Sequence, residues 1–64
     1  MNEEMRRQLQ ESLGHQIEIQ TKTNGKIKGT LSWISPDRCM AEITLQTGEI
    51  NTVTDVQIKS IRRL

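Results

Sequence analysis

Residues 29–43, GTLSWISPDRCMAEI, decide the fold. They begin with a glycine, continue as a β-rich run that includes the single tryptophan, pass through Ser-Pro-Asp-Arg and end in Cys-Met-Ala-Glu-Ile. Proline suits the second position of a turn, and aspartate hydrogen-bonds the turn backbone. The stretch therefore predicts a strand, a tight turn and a second strand. Two interpretations of the turn are open: it binds a ligand, or it only joins the two strands.

Short strands are predicted on both sides of this stretch. Ile17 and Ile19 alternate with polar residues, and Asn24-Gly25 is a strong hairpin signal. Gly29 lies inside the next strand, which indicates a sharp bend or a close approach of another backbone. Further strands are predicted at 41–45, 50–53 and 56–61. Short strands at regular spacing are typical of a small barrel or sandwich.

A helix is predicted over residues 3–13. Asn2 suits its N-cap, and Gly14 suits a left-handed C-cap. The apolar residues between them recur every four positions and should pack on the rest of the domain: Met1, Met5, Leu9 and Leu13. The sequence thus predicts one domain over 1–64, mostly β, in which an N-terminal α-helix precedes a five-stranded, strongly bent antiparallel SH3-like barrel at about 16–63.

Size and composition limit the function classes. A chain of 64 residues with 33% hydrophobic residues has a small core, so self-association is an expected source of stability. His15 and Cys39 have no companions at metal-ligand spacing, so neither a metal nor a cofactor is expected. The lone cysteine indicates a reducing compartment. With no membrane-length apolar run and no apolar signal core, we expect a soluble, cytoplasmic protein.

Catalytic motifs are missing from the sequence. It has no carboxylate pair poised with a histidine, no nucleophile elbow and no glycine-rich phosphate loop. A core this small also leaves little room for a pocket within one subunit. We therefore do not expect an enzyme. The net charge of +1 is too small to indicate a nucleic-acid binder by itself.

Nearly the whole chain resembles the Sm-like family, which includes bacterial Hfq. Gly29-Thr30-Leu31 matches the family's Gly-x-Leu in the bent second strand, and residues 37–40 match its Asp-x-x-Met turn. Ala41 stands where the family has Asn, and Thr54-Asp55 replaces its Arg-Gly. The apolar spacing of the second family signature is kept by Val53, Ile58 and Ile61. The family residues that support the fold are retained in this sequence, whereas most of the residues that contact RNA in the family are replaced.

The resemblance implies a hexameric or heptameric homo-oligomer, in which the fourth strand of one subunit pairs with the fifth strand of the next. It also implies binding of single-stranded RNA by stacking and by hydrogen bonds to base edges. Cys39, Ala41 and Thr54 offer little for either contact, so base recognition should be altered or weakened. The alternative is an Sm-like structural or protein-interaction ring without RNA binding. A monomeric SH3-like module is a third reading.

Seven residues are candidate RNA contacts, and several of them have a structural alternative. Arg38 either contacts phosphates or bases at the pore, or is an ordinary turn arginine. The helix arginines either face RNA or pair with neighbouring glutamates. A methionine more often fills a core or an interface, and an aspartate would repel phosphate. The position of Trp33, inside or outside, stays open. The candidates are Arg38, Cys39, Met40, Thr54, Asp55, Arg6 and Arg7.

Overall fold

The computed structural model of the protein describes residues 3–64. Helix α1 (Glu3–Glu11) precedes five strands: β1 (Gln16–Thr21), β2 (Lys26–Ile34), β3 (Met40–Thr44), β4 (Ile50–Thr54) and β5 (Ile58–Arg63). The strands form one antiparallel sheet in the order β4-β3-β2-β1-β5. The predicted fold class, a helix followed by a bent five-stranded antiparallel sheet, is confirmed. The predicted N-cap Asn2 and the apolar Met1 lie outside the described residues.

The helix ends two residues earlier than predicted, at Glu11, and residues 12–14 form a turn. Gly14 has φ +85°, the left-handed conformation that its predicted capping role requires. Its N–H donates to the carbonyl of Leu31 at 2.8 Å, which ties the end of the helix to β2. Within residues 3–64, no helix has the length and apolar character needed to cross a membrane.

Gly29 in strand β2 shows the close backbone approach that the sequence predicts as one of two possibilities at this position. A Cβ on Gly29 would collide with the carbonyl oxygen of Thr44 and lie 2.8 Å from Cγ2 of Ile43, so β3 approaches here as closely as only glycine allows. The pairing of β2 with β3 then shifts between Leu31 and Trp33. A bulge of this kind increases the local twist and bends the strand.

The core follows the alternating pattern of the strands. Among residues 3–64, eight apolar side chains are buried: Leu9, Ile17, Ile19, Leu31, Ala41, Ile43, Val53 and Ile58. Trp33, whose position the sequence left open, is 42% exposed and pairs across the sheet with Glu42. It therefore lies on the outer face.

Two predicted strand residues lie elsewhere. Val56, placed in the last strand from its apolar alternation, is exposed in a 3₁₀ turn at Asp55–Gln57. That turn forms because the backbone N–H of Thr54 donates to the Gln57 side chain at 3.0 Å. Leu45 follows β3, and its N–H donates to the Glu49 carbonyl at 2.8 Å across the next turn.

Candidate functional site

The turn between β2 and β3, residues 35–39, is held by several hydrogen bonds. The Ser35 hydroxyl donates to Oδ1 of Asp37 at 2.6 Å, and the Cys39 N–H donates to the same oxygen at 3.0 Å. The Met40 N–H donates to the Ser35 hydroxyl at 3.0 Å. Asp37 thus fixes the turn backbone, as the sequence predicts. The Ser35 hydroxyl, followed by the Cys39 N–H, lowers the pKa of Asp37 below its ordinary value of 3.8.

Arg38 extends from this turn to the helix. Its φ is +61°, a left-handed conformation that is uncommon for residues other than glycine and costs about 1 kcal/mol. Its Nη2 lies 3.2 Å from Oε1 of Glu3, and its Nη1 donates to Oε1 of Gln10 at 3.2 Å. The 35–39 turn and α1 are therefore joined through the Arg38 guanidinium.

A second contact between helix and sheet lies deeper. The Asp55 side chain is only 7% exposed, and its Oδ2 lies 3.6 Å from Nε of Arg6. The Asp55 N–H donates to the Cys39 carbonyl at 2.8 Å, and Nη2 of Arg6 lies 3.8 Å from the Cys39 sulfur. From the sequence, an aspartate at this position is expected to repel phosphate. In the structure Asp55 faces Arg6 and is largely hidden from solvent.

Cys39 carries a weakly acidic thiol. Partial burial raises its pKa above the ordinary value of 9.0, and the carboxylates of Asp37 and Asp55 raise it further. The nearby Arg6 opposes part of this shift. The thiol is therefore protonated at neutral pH and is a poor nucleophile.

The remaining candidates occupy different places. Arg7 pairs with Glu4 one turn earlier on the exposed face of α1, which fits the reading of a solvated helix face. Arg6 does not follow that reading, since it pairs with Asp55. Met40 pairs across the sheet with Thr54 and is 42% exposed, so it does not fill the core of the subunit.

Two partners of Arg38 were missed in the sequence. Glu3 and Gln10 lie seven positions apart on α1, a spacing that places them on one helix face with Arg6. This face meets the 35–39 turn. The spacing was visible, but it does not reveal which distant turn the helix face contacts.

The outer face of the sheet carries a further group of charges. Glu18 stands between Lys28 on β2 and Arg62 on β5, at 3.8 Å and 2.6 Å. The Glu18 side chain is only 13% exposed. The pairing follows directly from the strand register, which places both cations opposite Glu18. Part of the positive charge on this face is thereby neutralised.

The two outer strands of the sheet are β4 and β5. Across residues 3–64, no further strand pairs with their free edges. A groove of about 510 Å³ runs beside β4 and is lined by Thr21, Lys22, Thr23, Ile27, Asn51, Thr52, Val53, Val56 and Gln57. Exposed Ile50 begins β4.

Within residues 3–64, no three His, Cys, Asp or Glu residues lie close enough together to hold a metal ion.

These features define a small domain made of a helix and a bent five-stranded sheet. No protein-family model matches the sequence, and no curated protein matches it either. A similar fold occurs in a structure solved to show the structural basis of the activation of the Dcp1:Dcp2 mRNA decapping complex by Edc3 and Scd6. The match to one chain of it has a TM-score of 0.76 and 16% identity over 88% of this protein. It spans 58% of that chain, and at this identity it shows a shared fold alone.

Proposed function

We propose that the protein is an Sm-like subunit that assembles into a closed homo-oligomeric ring and binds single-stranded RNA weakly through the 35–39 turn. The observation that carries the proposal is Arg38, held at φ +61° in a turn fixed by side-chain hydrogen bonds. Backbone strain of this kind in a well-fixed turn is a frequent sign of a functional constraint. The Sm-like resemblance assigns RNA contacts to the same turn.

Ring assembly is supported by the open sheet. Strands β4 and β5 lie at its opposite edges, and exposed edges tend to pair with another chain. Pairing β4 of one copy with β5 of the next would cover both edges in every subunit and would close by rotation. The apolar core, which has eight buried residues in the described range 3–64, also gives a single subunit little stability of its own.

Weak RNA binding with little base preference follows from the side chains. Cys39 and Thr54 present no flat surface on which a base could stack. Arg38 can contact a phosphate, a contact that positions RNA but carries no sequence information. A ring repeats this guanidinium around its pore and concentrates positive charge there. We therefore expect affinity that falls steeply with salt.

The test is fluorescence polarisation with labelled oligo-U and oligo-A at low salt. Wild-type protein should bind both at micromolar concentration, and Arg38→Ala should weaken binding several-fold. Arg7→Ala is the matched control, because its partner Glu4 lies on the same exposed helix face, and it should change little. Absence of binding to both oligonucleotides would reject the RNA proposal.

A second candidate is a ring that binds protein and not RNA. Its specific support is that each of the three candidate arginines, Arg6, Arg7 and Arg38, already faces a carboxylate with which RNA would have to compete. Trp33 and Met40 are exposed at the same end of the sheet, and aromatic residues and methionine are enriched in protein interfaces. The structural neighbour comes from a protein assembly, the Dcp1:Dcp2 decapping complex with Edc3 and Scd6.

This candidate is tested by affinity capture from nuclease-treated lysate. A partner retained by the wild type and by Leu13→Ala, but lost with Trp33→Ala, would support it if the oligonucleotides also failed to bind. Leu13 is the control because it is likewise an exposed apolar residue and lies after the helix. Equal retention by both variants would argue against an interface at Trp33.

A further inference from the structure

Both side-chain partners of Arg38 within residues 3–64 come from helix α1. Gln10 is neutral, so Glu3 is the only carboxylate in this part of the chain within 4.0 Å of the guanidinium. Arginine binds carboxylate and phosphate oxygens with the same fork of N–H donors. Glu3 therefore occupies the part of Arg38 that an RNA phosphate would use.

The Glu3 contact is easy to exchange. Glu3 is 69% exposed and Arg38 is 36% exposed, so water and ions reach both groups. An exposed ion pair of this kind shifts an equilibrium by only about twofold to fivefold. Glu3 also lies at the first residue of α1, where helix ends open most readily. A phosphate that approaches Arg38 meets a carboxylate that can move away.

Arg6 provides the contrast. Its partner Asp55 is buried against the sheet and is fixed by the 3₁₀ turn that it begins. A phosphate could displace Asp55 only by opening the contact between helix and sheet. Arg6 and Arg38 both lie where α1 meets the 35–39 turn. Of these two arginines, only Arg38 has a carboxylate partner that a phosphate can displace.

We propose that Glu3 acts as an intramolecular competitor that occupies Arg38 and lowers the affinity of the 35–39 turn for the phosphates of single-stranded RNA. The inference rests on the proposed function, since it concerns the same turn and the same ligand. It makes the first turn of α1 a regulatory element. A change that removes the charge of Glu3 or moves it away strengthens RNA binding.

The experiment compares Glu3→Gln with Glu4→Gln in oligo-U binding at low salt. Both substitutions remove one negative charge from the first turn of α1 and free one arginine, but Glu4 pairs with Arg7 and does not contact Arg38. Glu3→Gln should bind oligo-U about twofold to fivefold more tightly than Glu4→Gln. The gain should disappear when Arg38→Ala is added to each variant.

The outcomes separate the two proposals. If Arg38→Ala weakens binding but the two glutamine variants bind equally, the 35–39 turn binds RNA and the competitor role of Glu3 is rejected. If neither the wild type nor Glu3→Gln binds RNA, both proposals fail. Far-UV circular dichroism of both variants checks that their helix content is equal, so that the difference in affinity reports the charge at position 3.

Discussion

Helix α1 meets the rest of the protein through two arginine–carboxylate contacts that differ in depth. Arg6 and Asp55 meet beneath the helix, where the carboxylate is nearly inaccessible. Glu3 and Arg38 meet at the surface, where both side chains are exposed to solvent. Both contacts join a guanidinium to a carboxylate. They differ in solvent exposure, and this difference decides whether the contact is fixed or exchangeable.

The buried contact is structural. Removing one partner of a buried pair leaves the other charge without compensation, which is far more costly than losing a surface pair. The surface contact adds little stability but controls access to Arg38. Three stability predictions concern the helix, its two ion pairs and the 35–39 turn. They run from the strongest expected effect to the weakest, and the second compares the two ion pairs directly.

The strongest effect should come from the apolar anchor of the helix. Leu9 is fully buried, and Leu9→Ala should destabilise the protein by about 3 kcal/mol through lost burial and the cavity left behind. Leu13→Ala is the matched control, since Leu13 is 49% exposed and its truncation should cost less than about 0.5 kcal/mol. Urea unfolding followed by circular dichroism measures both. Equal losses would mean that the helix is not held by Leu9.

The next effect separates the two ion pairs. Asp55→Ala leaves the Arg6 charge without its buried carboxylate partner, and we expect a loss of about 2 kcal/mol, moderated because the Arg6 side chain is 31% exposed. Glu3→Ala should change stability by less than about 0.5 kcal/mol. The same urea experiment compares them. If the two variants lost similar stability, the distinction between a buried and an exchangeable contact would be wrong.

The smallest expected effect is the loss of stability that protonation of Asp37 causes at low pH. The pKa of Asp37 is lower in the folded protein than its ordinary value of 3.8, because the ionised carboxylate accepts hydrogen bonds from Ser35 and Cys39. The contribution of Asp37 to stability is therefore complete above 3.8 and is lost as the pH falls through the folded-state pKa. Fluorescence of the nearby Trp33 during acid titration should report the turn loosening.

Asp37→Asn is the control for this titration. Its amide oxygen can still accept both hydrogen bonds but cannot be protonated in this range, so the acid-dependent change should be absent. An identical titration in both proteins would assign the change to another group.

Local signals in the sequence predicted most of the fold. The helix and the alternating strands depend on residues near one another in the chain. The close approach at Gly29 involves Thr44 on β3, but a single glycine inside a strand was enough to indicate it. Asn24, in the predicted hairpin, has φ +68°, which asparagine tolerates better than most residues. Val56 was misplaced because its apolar spacing resembles a strand, whereas the bond between Thr54 and Gln57 forms a 3₁₀ turn.

The candidate site was less predictable for a physical reason. The role of Asp37 follows from neighbours two residues away, so turn chemistry alone indicated it. Arg6 and Cys39 are 33 residues apart, and Arg38 and Gln10 are 28 apart. Their contacts depend on how the helix docks on the sheet, which no local pattern specifies. An exposed RNA-facing arginine and one paired with a carboxylate look alike in the sequence.

The most direct test of a ring built from open sheet edges is the oligomeric mass, measured by light scattering before and after nuclease treatment. Pairing of β4 with β5 of the next subunit predicts a closed ring, for which the Sm-like resemblance implies six or seven 7.4 kDa chains, and nuclease should not dissociate it. A particle of a single 7.4 kDa chain at micromolar concentration would contradict ring assembly.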